Sequence, residues 1–166
     1  MPRKPEPLFY EEQSFRQTRL RILTAIPPIA LTLGAIWQVA LGHRWGKQPM
    51  SDAGLIVWSI FLWLVYLRLM MVKLVTEVRP GELRVRMRGL FRSIRIPLDK
   101  MNSATAVTFD PVRDWGGYGF RRTKKGTAYL ASGGEGAELR LASGALVLIG
   151  SHRAAELMTA IGQSQR

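Results

Sequence analysis

The chain contains no cysteine and only two histidines, His43 and His152. The first absence excludes a disulfide scaffold, thiolate-bound zinc, iron–sulfur ligation and thiol chemistry, and the second excludes a multi-histidine metal cage. Acids are scarce as well. Only 12 Asp plus Glu stand against 24 Lys plus Arg in 166 residues, a net charge of +12. The acids Glu77, Glu82, Asp99, Asp110, Asp114, Glu135, Glu138 and Glu156 are scattered and make no paired-carboxylate signature. No phosphate loop is present. Gly116-Gly117-Tyr118-Gly119 and Gly133-Gly134-Glu135-Gly136 are glycine-rich, but neither opens a helix after a strand or carries the Lys-Ser/Thr pair. They are expected to be turns. Ser151 and His152 are sequence neighbours, which cannot face each other as nucleophile and base at a helix start. No catalytic residue, metal site or cofactor is expected.

What the chain does have is apolar residues in blocks. Its mean hydropathy is +0.02 although 22% of residues are charged, so the apolar residues must be concentrated. Ile22–Gly42 is 21 residues without a charge. As a helix rising about 1.5 Å per residue it covers about 30 Å, the thickness of a bilayer core. Gly54–Leu67 is a second uncharged run, of 14 residues. It reaches spanning length only as 53–72, with Arg68 extending toward the nearer interface as the one charge inside a span. Two helices of a soluble bundle are the alternative, but both runs lack the polar stripe such helices carry.

The predicted organisation is an N-terminal cytoplasmic segment, 1–21, a transmembrane helical hairpin, 22–75 with spans 22–42 and 53–72, and a cytoplasmic domain, 76–166. Leu8–Leu20 is expected to be an amphipathic helix with Leu8, Phe15 and Tyr10 on its apolar side, or else a frayed tail. Pro27-Pro28 predicts a break or a helix start, the span then running from Pro28. Small residues Ala30 and Gly34 would let the helices approach closely. Arg3, Lys4, Arg16, Arg19 and Arg21 precede the first span, Arg44 and Lys47 lie in the link, and six basic residues from Arg68 to Arg88 follow. The positive-inside rule then puts both termini in the cytoplasm and the link outside, with Trp37 and Trp45 at the outer interface, Trp58 just below it and Tyr66 toward the inner one.

From about Thr76 the pattern changes to period two. Leu83-Arg84-Val85-Arg86-Met87-Arg88 alternates apolar and basic, and Pro80-Gly81 before it makes a hairpin of 74–79 with 82–88. Further strands are expected at 91–96, with Ile94 and Ile96 inward, at 104–110, at 118–122 and 127–131 around Lys124-Lys125-Gly126, and at 136–141 and 145–149. Residues 111–117 are expected as a loop. Ser151 is expected to cap a last helix whose Ala154, Leu157, Met158 and Ile161 share one side. About seven antiparallel strands followed by one C-terminal helix is the order of a pleckstrin-homology-like (PH-like) sandwich, a mostly-β α+β fold.

The segments Phe9–Gln17, Thr76–Leu83, Trp115–Gly119 and Leu148–Leu157 resemble a family of small bacterial membrane proteins that join a two-helix hairpin to a bacterial PH-like domain. The resemblance runs through nearly the whole chain. It implies the hairpin, the PH-like fold and placement in the bacterial cytoplasmic membrane, and it supplies no catalytic residue.

Charge is the main functional signal. From Thr76 onward 15 Lys plus Arg oppose 8 Asp plus Glu, a net of +7. Arg84, Arg86, Arg88, Arg92 and Arg95 form one candidate basic face, and Arg121, Arg122, Lys124 and Lys125 form a second cluster. Either is a solvated face or a contact for anionic lipid headgroups or an acidic protein surface. Nucleic acid is not expected, because the basic strands lack interleaved aromatics for stacking. Trp115, beside a glycine pair, is either a binding anchor or a plug closing the sheet. The leading expectation is a non-catalytic membrane module, an accessory, scaffolding or assembly subunit of a larger inner-membrane complex. A stand-alone lipid-binding or membrane-organising protein is the alternative, and an enzyme or transporter component is disfavoured.

Overall fold

A computed structural model describes residues 6–14, 18–44, 49–89 and 92–165. The chain divides into two compact units, one of Arg16–Met71 and one of Met1–Phe15 with Val72–Arg166.

In the first unit, α1 (Thr18–Ala35) runs into a π-helical turn at Ile36–Ala40, and α2 is Asp52–Met70. Both helices are long and apolar enough to cross a membrane. Most of their large apolar side chains face outward, Leu23, Leu33, Val57, Ile60 and Leu64 among them. Pro27 and Pro28 lie inside α1 and do not break it, contrary to expectation. A segment this apolar has few other partners to offer its backbone, and Thr32 Oγ1 donates to the Pro28 carbonyl (2.7 Å). The break appears instead as the π-turn, where Leu41 N–H reaches the Ile36 carbonyl (3.3 Å).

Polar contacts cross the seam between α1 and α2. Trp63 Nε1 donates to Thr32 Oγ1 (3.0 Å). Gln38, which is buried, donates to the Met50 carbonyl (2.7 Å) and to Asp52 Oδ1 (2.8 Å), tying the linked end of the hairpin. Ser51, outside the helix, accepts from Gly54 N–H as the cap of α2. Gly34 is buried and Ala30 is exposed, so only the first of the two small residues serves close approach. Trp37 and Trp58 are exposed. Trp45, Phe15 and the basic residues Arg3, Lys4, Arg16 and Lys47 lie outside the described residues.

The second unit holds nine strands among the described residues, in two sheets, plus α4 (Ala154–Ser164) at its C-terminal end. The first sheet has the order β1-β2-β3-β4, from Phe9–Ser14, Lys73–Arg79, Glu82–Arg88 and Arg92–Pro97, all antiparallel. The expected amphipathic helix at Leu8–Leu20 is therefore replaced over its first half by β1, which pairs with β2 along its whole length. Phe9, Glu11 and Gln13 alternate inward, a period of two rather than 3.6. The second sheet has the order β5-β8-β9-β7-β6, from Met101–Phe109, Gly134–Leu141, Leu146–Gly150, Gly126–Leu130 and Gly119–Thr123. Here β7 and β9 are parallel, so the expected all-antiparallel set of about seven strands is corrected in number and in direction.

Leu83, Val85 and Met87 are buried while Arg84, Arg86 and Arg88 face the other way, as the alternation predicts. The expected loop at 111–117 contains a short helix, α3 (Pro111–Trp115). Asp110 caps it, accepting from Val112 and Arg113 N–H, and Gly116 ends it at φ 72°. Gly136 lies within β8 and not in a turn, and a Cβ there would collide with the Ile149 carbonyl of β9. Its requirement is close approach of two strands.

Two sets of polar contacts hold α4. At its C-terminal end Ser164 Oγ accepts from Gly81 N–H (2.9 Å) and donates to the Arg79 carbonyl (2.8 Å). At its start Glu11 of β1 accepts from Ser151 Oγ (2.6 Å) and from His152 N–H (3.0 Å). Beside it Gln13 Nε2 donates to the Gly150 carbonyl (2.9 Å), and Ser132 Oγ donates to Gln13 Oε1 (2.9 Å). The strand preceding the hairpin is thus locked to a corner formed by the last strand and helix.

Candidate basic surface

Strand register decides which basic residues share a face. Across β2, β3 and β4, Lys73 stands opposite Arg88, Glu77 opposite Arg84, Arg84 opposite Arg95, and Arg86 opposite Ser93. Arg84, Arg86, Arg88 and Arg95 therefore lie on one face of the first sheet. Arg92 does not. It pairs with Met87 and has the parity of the inward Ile94 and Ile96, so it is removed from the predicted face. Its guanidinium lies 5.0 Å from the centre of the Phe120 ring, a cation–π contact with β6 of the other sheet.

The face is not bare. Glu12, Glu77 and Glu82 stand among the cations, which sequence reasoning about arginines alone missed. Glu82 pairs with Arg84, a contact that holds its carboxyl below the usual range and pushes the arginine's pKa up. Glu77 is buried and bridges Arg79 (2.5 Å) and Arg86 (3.5 Å). Glu12 bridges Lys73 (2.5 Å) and Arg88 (3.8 Å), and the hydrogen bond from Lys73 lowers its pKa. The neighbouring positions 90 and 91 lie outside the described residues.

The second cluster is on an edge. Arg121 and Arg122 are consecutive on β6, the outermost strand of its sheet, and strand geometry sends them to opposite faces. Lys124 and Lys125 form the turn to β7. The four residues are neighbours in sequence but make no single face.

Trp115 is 6% exposed and packs with Phe109, Ala128, Leu130 and Leu148. It plugs the second sheet, and burial removes the anchor role. Ser151 is equally committed. It is buried, its hydroxyl donates to Glu11, and it accepts from Arg153 N–H (3.1 Å). The helix N-cap position falls to Arg153, two residues later than expected. Arg68 is exposed on α2 in the last turn, where a cation meets the negative end of the helix dipole. Among the described residues no group of three or more His, Asp or Glu side chains could hold a metal ion. No protein-family model matches the chain, and no curated protein sequence matches it.

Proposed function

We propose that this chain is a non-catalytic integral membrane module of the bacterial cytoplasmic membrane, serving as an accessory, scaffolding or assembly subunit of a larger complex. Its PH-like domain lies on the cytoplasmic side. The observation that carries the reading is the insertion of the apolar hairpin between two hydrogen-bonded strands. Ser14 ends β1 opposite Lys73, which begins β2. The chain departs into α1 and returns from α2 at one end of one sheet, and only an even number of crossings allows that pairing. The basic residues flanking the hairpin outnumber those in its link, which supports the cytoplasmic side for the domain. Two mainly antiparallel sheets with a C-terminal helix support the PH-like fold.

Glu11, Ser151 and Trp115 are all buried and engaged in holding the fold. Apolar helix surface and a basic sheet face stand outward among the described residues, which supports a binding module. The test is extraction in mild detergent from the native membrane, followed by size exclusion. The subunit reading expects a partner co-migrating at fixed stoichiometry. A lone monodisperse protein would overturn it in favour of a stand-alone membrane-organising protein.

A further inference from the structure

Exposure of the cations on the first sheet is graded along the strands. At the far end Arg79 and Arg84 have side chains only 15% and 18% exposed, each held by a glutamate. At the end where the chain enters and leaves the hairpin, Lys73, Arg86 and Arg88 are 44%, 46% and 59% exposed. Their acids are shared: Glu12 serves both Lys73 and Arg88, and Glu77 serves Arg86 only at 3.5 Å while holding Arg79 at 2.5 Å. The exposed cations at this end outnumber the acids that face them. Arg95 is exposed in the far row, on edge strand β4.

Chain length sets how far these groups can lie from the membrane. Helix α2 ends at Met70 and β2 begins at Lys73. With Cα atoms about 3.8 Å apart, Lys73 lies within about 11 Å of that helix end, and Arg88, its cross-strand neighbour, about 5 Å further. Arg86 adds about 7 Å, and Arg84 twice that. Counter-ions screen charge over about 8 Å at physiological salt. Lys73 and Arg88 are thus tethered within about two screening lengths of the helix end and Arg86 within about three, whereas Arg84 can lie about four away.

We propose that Lys73, Arg86 and Arg88 form a collar that binds the phosphate groups of anionic phospholipids where the hairpin meets the bilayer, and that Arg84 and Arg95 do not take part. The inference rests on the membrane reading above and adds the ligand class and the residues. Fixed attachment beside the lipid makes the effective concentration high, so modest contributions from each cation suffice. Guanidinium pairs suit the two oxygens of a phosphodiester, and Lys73 adds a point charge.

The chain has no cysteine, so Ser93→Cys, exposed and opposite Arg86, gives one labelling position on this face. The full chain carrying a fluorophore there is reconstituted in nanodiscs of neutral phospholipid with trace acceptor-labelled phosphatidylglycerol or acceptor-labelled phosphatidylcholine. Energy transfer should show the anionic lipid enriched about threefold or more over the neutral one, falling toward parity as salt rises. Replacing Lys73, Arg86 and Arg88 together by Gln should bring enrichment to parity, Lys at both arginine positions should retain most of it, and Arg84→Gln with Arg95→Gln should leave it unchanged. Parity in the parent, persistence in the triple Gln variant, or loss in the Arg84/Arg95 pair would each overturn the proposal. A chain that stays outside the discs overturns the membrane reading as well, whereas one that enters them without lipid preference overturns this inference alone.

Discussion

Glu11 is the position at which the account of the fold is most exposed to refutation. It precedes the hairpin in sequence, is 8% exposed, and holds the segment that leads into α4 through Ser151 Oγ, 140 residues later. A hydrogen bond to a charged group contributes about 1.5–3 kcal/mol. Glu11→Ala removes two of these, and the Ser151 hydroxyl keeps only its bond from Arg153 N–H. A loss of about 3 kcal/mol follows, a roughly hundredfold rise in the opening constant of β1 and the start of α4. Glu11→Gln keeps an acceptor for His152 N–H and can donate to Ser151 Oγ, so it should lose only about 1 kcal/mol. Native-state hydrogen exchange on the full chain in detergent reads this by segment, since amides of β1, β9 and α4 open as one unit if the lock is real. Glu12 is the control. It lies on the same strand, faces the other way, and pairs with exposed Lys73. If Glu12→Ala opens β1 as much as Glu11→Ala, or if Glu11→Ala leaves the α4 amides unchanged, the lock is not what holds the strand.

Trp115→Ala should cost about 3–5 kcal/mol in chemical unfolding by emptying the cluster with Phe109 and Leu130, a loss no surface anchor would show. Asp110 has its carboxyl pKa lowered by backbone N–H bonds from Arg113 and then Val112, so its support of α3 is present above the ordinary carboxylate range and is lost as pH falls through the lowered value. Asp110→Asn should keep the cap and abolish that acid-side change in α3 amide shifts, and an unchanged titration would count against the assignment. Thr32→Val removes the acceptor of Trp63 and should weaken the helix pair by about 0.6 kcal/mol, read as faster exchange of the Trp63 indole proton.

The parts of this fold visible in the sequence are those with unbroken periodicity. Leu83-Arg84-Val85-Arg86-Met87-Arg88 announces its strand and its two faces, and the charge-free runs announce the helices. β1 was hidden because its inward residues include Glu11 and Gln13, whose partners lie more than 130 residues away. A polar residue at an inward position erases the alternation that identifies a strand. The parallel pairing of β7 with β9 is equally non-local. A run of arginines suggests that Arg92 shares the basic face, but strand parity, set by Ile94 and Ile96, turns it to the other side. The glutamates that shield Arg84 and Arg79 were present in the sequence, but only register shows them as neighbours of the cations. A domain fragment starting at Thr76 would also lack β1 and the first residues of β2, so lipid binding must be tested on the full chain.

The central claim is that the hairpin crosses the cytoplasmic membrane and leaves the sheet unit inside. Single cysteines at Met50 and Ser143 decide it most directly. Both positions are exposed, and Met50 avoids Ser51, which caps α2. The account predicts that an impermeant thiol reagent added to intact spheroplasts labels Met50→Cys, and labels Ser143→Cys only after the membrane is permeabilised. Labelling of Ser143→Cys in intact spheroplasts, or equal protection of both positions, would contradict it.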